Sequence, residues 1–171
     1  MKSYLIELIA AVLLFALGGQ IEVEIPGSDV PFILTDFFVF FAALYLKPRD
    51  FAVSILLFLG FGAMGLPVFA GGSGGFTHLL GNTSGYLFGY LFGGLLVSMV
   101  SRQTDNSILK LLIVFLGYYL LFLLGILGIQ FHNAIDIQSA LMIGAVPFIF
   151  SMHLKAFLAW LLFIGIEKLS A

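Results

Sequence analysis

Asp36 and Lys155 each fall inside an apolar stretch, one near the start of the chain and one near its end. An ionisable side chain within a membrane helix is costly and usually functional. Counted from the same end of their helices, the two lie at similar depth, about 6–9 Å in at 1.5 Å per residue. Two chemistries suit them. They can form an ion pair with each other, or Lys155 can meet a polar group of a ligand while Asp36 accepts that ligand's N–H donors. The two overlap, since a pair in the empty state can open on binding. Between them lies the most unusual segment, Gly65-Leu-Pro-Val-Phe-Ala-Gly-Gly-Ser-Gly-Gly75. Its glycines free the backbone and expose N–H and C=O groups, which hydrocarbon cannot satisfy. A plain loop in water is one reading, but the apolar run Pro67 to Ala70 favours a re-entrant or lid-like loop facing a small polar ligand.

Other chemistries find little support. The chain has no cysteine, which excludes disulfides, thiolate metal sites and a cysteine nucleophile. His78, His132 and His153 lack metal-site spacing, although His78 adjoins the glycine segment and can reach a ligand there. His153 points away from Lys155 on a helix. The acids are isolated and no serine is partnered to a histidine, so no enzyme is read here. There is no G-x-x-x-x-G-K-[ST] loop, so ATP is not hydrolysed by this chain by that route.

The elements that position these residues follow from composition. Of 171 residues, 61% are hydrophobic and 9% charged, with a mean hydropathy of +1.17. A soluble domain carries about 25% charged residues, so lipid must be the solvent for most of this chain. Nucleic-acid binding is disfavoured for the same reason. The pattern predicts an all-α integral membrane protein: six transmembrane helices in a compact bundle, residues 1–171 as one membrane-embedded domain. The helices run from about Tyr4 to Gln20, Pro31 to Leu46, Phe51 to Gly65, the end of the Gly-rich loop to Val100, Ile108 to Ile129, and Ser151 to Ile166. The stretch from Gln130 to Phe150 is less regular. The first segment is read as a retained helix rather than a cleaved leader. With both termini cytoplasmic, Lys2, Lys47, Arg49, Arg102, Lys110 and Lys168 all fall inside, while the outer loops hold Glu22, Glu24, Asp29 and Asp136 and no Lys or Arg. That is the positive-inside rule, and it puts the Gly-rich loop between helices 3 and 4 outside.

Gly85, Gly89 and Gly93 share one face of helix 4. Small residues allow close backbone approach in lipid. The face packs on a neighbouring helix or docks a partner membrane protein. Helix 1 offers a looser surface of small residues, Ala10, Ala11, Ala16, Gly18 and Gly19.

The segment from Gly65 to Gly75, followed by Gly81-Asn-Thr-Ser-Gly-Tyr86, resembles the signature of the BioY family. These are the biotin-specific S, or substrate-binding, components of energy-coupling-factor (ECF) transporters. The resemblance extends to Ile25-Pro26 with Val30-Pro31, to Lys47-Pro-Arg49, and to Pro147-Phe148 with Leu154-Lys155-Ala156, in the right order and covering most of the chain. Three positions depart from the family's pattern. Gly81-Asn-Thr-Ser-Gly-Tyr86 replaces Gly-Pro-Thr-Gly-Gly-Tyr, Thr35-Asp36 replaces a Gln-Thr pair, and Met152 stands three before Lys155 where the family has an acid. The resemblance implies that this acid and lysine contact the ligand. It implies biotin as transported ligand with no bound cofactor, and as partners the transmembrane coupling protein EcfT and ATPase subunits that alone bind ATP. Helix 1 and Lys47 to Arg49 are then plausible docking surfaces. It also implies a place in the plasma membrane of a prokaryote. Biotin's carboxylate, ureido ring and apolar thiophane ring would be met by Asp36, Phe69, Gly72, Ser73, Gly74, Tyr86, Met152 and Lys155. Asp36 replaces the missing acid from the opposite wall. The alternative is an S component for another small vitamin-like ligand such as lipoate, motivated by Met152.

Overall fold

A computed structural model describes residues 2–28 and 30–169, without the side chains of residues 2 and 3. Asp29 therefore lies outside the described residues, and so does the side chain of Lys2. Seven α-helices are found among the described residues: α1 (Lys2–Gln20), α2 (Thr35–Tyr45), α3 (Pro48–Ala63), α4 (Ser84–Val100), α5 (Ser107–Asn133), α6 (Ile137–Gly144) and α7 (Ile149–Leu169). All but the short α6 pack into one bundle, with α2 against α1, α4 and α7, and α4 against α5. The short α6 fills the stretch that reads as irregular in sequence, capped by the Asp136 carboxylate, which accepts from Gln138 N at 2.9 Å and Ser139 N at 3.0 Å.

By length and composition, Ser84–Gln103, Ser107–Asn133 and Ile137–Leu169 are long and apolar enough to cross a bilayer. Helix α2 is shorter than its apolar run predicts. Its 11 residues span about 16 Å, roughly half a hydrocarbon core. The expected start at Pro31 moves to Thr35 because the preceding backbone is engaged elsewhere. Val23 and Phe32 exchange two backbone hydrogen bonds, Val23 N donating to Phe32 O at 3.0 Å and Phe32 N to Val23 O at 2.9 Å, and Leu34 N donates to Gly18 O at 2.8 Å. Asp36 consequently sits in the first turn of α2, not one and a half turns in.

Glycines set the tightest helix contacts. A Cβ on Gly85 would strike Leu124 O on α5, one on Gly89 would meet Leu121 Cα, and one on Gly93 would meet Gly117 O. The glycine face of α4 is therefore spent on α5, inside the chain. On α1, Gly18 abuts the Leu34–Thr35 backbone and Gly19 the Phe69 carbonyl, while Ala10 is exposed.

The two ends of the bundle differ in charge. At one end Arg102 Nη2 donates to Tyr45 O at 2.8 Å, Trp160 Nε1 to Ser107 O at 2.7 Å, and Lys110 pairs with half-exposed Glu167 at 3.1 Å. At the other end lie Glu22, Glu24 and Asp136. There Ser28 Oγ ties the α1–α2 connection to α6 by donating to Ile143 O at 2.7 Å.

Candidate ligand-binding site

At this acidic end the helices enclose a cavity of about 410 Å³, a size typical of small-molecule sites. Asp36, Phe69, Ser73, Tyr86 and Lys155, expected from sequence, all line it. The Asp36–Lys155 ion pair forms. Lys155 Nζ donates to Asp36 Oδ1 at 2.9 Å and Oδ2 at 2.8 Å, and to Ile33 O at 2.7 Å. It also lies 4.2 Å from the centre of the Phe32 ring. The pair is deeply set, Asp36 being 6% exposed and Lys155 7%. A buried charge pair is tolerable only when its hydrogen-bonding capacity is met. Here the carbonyl of Ile33, freed by the delayed start of α2, takes the ammonium's third proton. A carboxylate has about four lone-pair sites, and Lys155 takes one on each oxygen.

The Gly-rich segment joins α3 to α4 through two short 3₁₀ turns, Ala70–Gly72 and Phe76–Leu80. Gly65 (φ +96°) and Gly75 (φ +114°) hold backbone that side-chain-bearing residues rarely adopt. Gly75 N donates to Gly62 O at 2.7 Å, closing the segment back onto α3. Phe69 drops its ring onto Gly62, where any Cβ would collide with it, and meets Phe58 edge-on at 5.5 Å. That anchor presents Ala70, Gly71 and Ser73 to the cavity. The Ser73 hydroxyl donates to Ala70 O at 2.7 Å and so pins the turn.

Three expected residues are not on the wall. Gly74 packs its Cα against the Leu66 carbonyl, and Gly72 faces Gln20. Met152 shares the Lys155 face of α7 but is 5% exposed, its side chain packed among the buried apolar residues of the core. His78 does line the cavity, 6.0 Å from the Phe69 ring. His153 instead bonds Tyr119 at 2.9 Å and Ile149 O at 2.6 Å.

Sequence reasoning missed Glu22, Thr83, Tyr90, Phe122 and Phe148, all of which line the cavity. Tyr90 stands four residues after Tyr86, so helical spacing already placed it on the same face. Nothing in the sequence singles out Phe122. Glu22 reads as a solvent-facing loop acid; it stays exposed, but the Gly-rich segment brings Gly71 against it at the cavity.

Tyr86 braces the wall. Its ring meets Phe122 edge-on at 5.8 Å and fills the space above Gly125, and its hydroxyl donates to Gly144 O at 2.7 Å. Tyr86→Phe keeps the ring but leaves a buried carbonyl without this donor. Thermal unfolding in detergent is expected to show a loss of about 1–3 kcal/mol, with ligand affinity changed by less than about tenfold.

The BioY family model matches residues 2–171. The chain belongs to the BioY family. Among relatives, the chain is 33% identical over 147 residues to the biotin transporter BioY of Thermotoga maritima, covering 86% of each chain. It is 34% identical over 151 residues to biotin transporter BioY2 of Lactococcus lactis subsp. cremoris, covering 85% of this chain and 83% of that one. A crystal structure of the S-component for biotin from an ECF-type ABC transporter superposes with a TM-score of 0.89 at 26% identity, covering 98% of this chain and 91% of that one. The expected fold class, an all-α multi-pass membrane bundle, is that of this S component. BioY family membership makes the chain a transporter subunit and not an enzyme.

Proposed function

We propose that this BioY-family chain binds biotin from outside the cell and mediates its uptake with an ECF module. The observation that carries this reading is the buried Asp36–Lys155 pair on the wall of the 410 Å³ cavity. Biotin's ureido ring settles toward Asp36, whose remaining lone pairs accept its two N–H groups. Its thiophane ring lies among Phe69, Tyr86 and Phe122. Ser73 and the loop backbone close over it, with Gly72 and Gly74 shaping that loop rather than touching ligand. Asp36 on α2 does from the facing helix what an acid at position 152 would do on α7.

Residues 1–171 act as one membrane-embedded unit in the plasma membrane of a prokaryote. The basic end, with Arg102 and Lys110, faces the cytoplasm together with both termini. There it meets EcfT and the ATPase subunits, which supply the energy that this chain has no nucleotide loop to provide.

Titration of purified protein with biotin, lipoate, thiamine and riboflavin is the direct test. Biotin is expected to bind at least about 100-fold tighter than the others, a difference that unpaired polar groups readily produce. Equal or tighter binding of lipoate would instead identify an S component of altered specificity. Uptake by cells lacking the ATPase subunits is expected to fail, and full uptake in them would reject the coupling.

A further inference from the structure

The cavity's charges do not suit the free-acid end of its ligand. The ammonium of Lys155 has all three N–H bonds committed, two to Asp36 and one to Ile33 O. No other lysine or arginine lines the cavity among the described residues. The other ionisable wall residues beyond the tyrosines are His78 and Glu22. Glu22 is exposed at the rim, its carboxylate lying against Gly71. It makes no ion pair or hydrogen bond with the described residues. Asp36 offsets Lys155, which leaves the Glu22 carboxylate at the opening with no lysine or arginine paired to it.

Burial sets which end of a ligand reaches that charge. Asp36, Phe58 and Tyr90 form the buried floor, whereas Glu22 and Gly71 are exposed. On the biotin reading above, the ureido ring occupies the floor and the aliphatic chain runs outward. Its carboxylate then arrives beside Glu22, and like charges at close range disfavour each other. Beside Glu22, Gly72 N and Ser73 N turn back to Phe69 O and Ala70 O, while the Ala70 and Gly71 amides donate to no acceptor among the described residues. The rim therefore pairs a carboxylate acceptor with amide donors. A carboxylate offers only acceptors to such a pair. A secondary amide offers a carbonyl to the loop N–H groups and an N–H to Glu22.

We propose that the site takes biotin joined through its carboxyl group to an amine, such as N-biotinyl-lysine or a short biotinylated peptide, at least as well as free biotin. Glu22 reads the amide. The rest of the amine projects through the open rim into solvent, so its size is not restricted by the cavity.

The test is a three-ligand titration of the full chain in detergent with biotin, biotin N-methylamide and N-biotinyl-lysine. The wild type is expected to bind both amides within about threefold of biotin or tighter. Glu22→Gln removes the rim charge and is expected to tighten biotin about threefold, the scale of an exposed charge interaction, without tightening the amides, so the amide-to-biotin preference falls. Amides that bind about 100-fold more weakly than biotin would overturn the inference while leaving biotin as the ligand. So would a preference unchanged by Glu22→Gln. If none of the three binds, the biotin reading fails and this inference fails with it.

Discussion

Asp36→Asn is expected to weaken biotin binding about 100-fold, because it removes a charged acceptor from the ureido edge. The amide also turns an N–H₂ toward the ligand's own N–H groups and frees Lys155 from its bidentate partner. Lys155→Met acts on the same pair from the other side. It strands the Asp36 charge at 6% exposure, which costs about 3–5 kcal/mol, so this variant is expected to unfold early in detergent. The double variant Asp36→Leu/Lys155→Met separates the two roles. Replacing both buried charges by apolar groups of similar volume is often neutral or stabilising, so the unfolding temperature should return to near the wild-type value. Binding should not return. Wild-type affinity in Asp36→Asn, or in the double variant, would show that the pair holds helices together and nothing more.

The same pair shows how far the sequence could be read. Two isolated charges in apolar stretches were enough to place Asp36 and Lys155 together. Phe69 and Ser73 belong to the unusual glycine segment and Tyr86 to the Gly81–Tyr86 motif, and the family resemblance is what pointed to all three as ligand contacts. What stayed hidden depends on backbone that is neither helix nor regular loop. Nothing in Pro31-Phe-Ile-Leu34 announces that the Ile33 carbonyl will serve Lys155. That use follows from the Val23–Phe32 bridge and the Leu34–Gly18 bond, which hold the segment extended. Met152 shows the complementary case. Its place three before Lys155 in the family's pattern points to the site, whereas its side chain is buried among apolar residues of the core. Glu22 failed because an acid in a loop is ordinarily solvated, and only the fold of residues 65–75 brings Gly71 against it.

The cavity also explains why a chain so rich in glycine holds a fixed shape. Its wall is made by large rings, Phe58, Phe69, Tyr86 and Phe122, and two of these are seated on glycines of a neighbouring segment: Phe69 on Gly62, and Tyr86 on Gly125. Large-on-small packing of this kind gives each ring one position. A ligand then meets a preformed surface, with little ordering left to offset on binding.

The α4–α5 contact carries that surface, and Gly85→Val is expected to break it. The added Cβ would fall on Leu124 O and close to Gly125 Cα, which are backbone atoms of α5. A backbone cannot rotate aside as a side chain can, so the helices must separate. Overpacking of this kind costs about 1–3 kcal/mol even where side chains can yield, and the loss here is expected at or above the upper end. Close backbone contacts are also what hold helices together in lipid, where no hydrophobic gain is available, so nothing nearby compensates. The neighbouring Tyr86 would lose its seat on Gly125, and biotin affinity should fall with stability. Gly60→Ala and Gly165→Ala provide the contrast. Both lie inside helices with nothing within 4 Å of an added Cβ. Each is expected to raise stability by about 0.5–1 kcal/mol through helix propensity alone. Thermal unfolding in one detergent, with gel filtration to check for dispersed monomer, reads all three. A Gly85→Val protein as stable as Gly60→Ala would mean that α4 and α5 do not meet through their glycine faces.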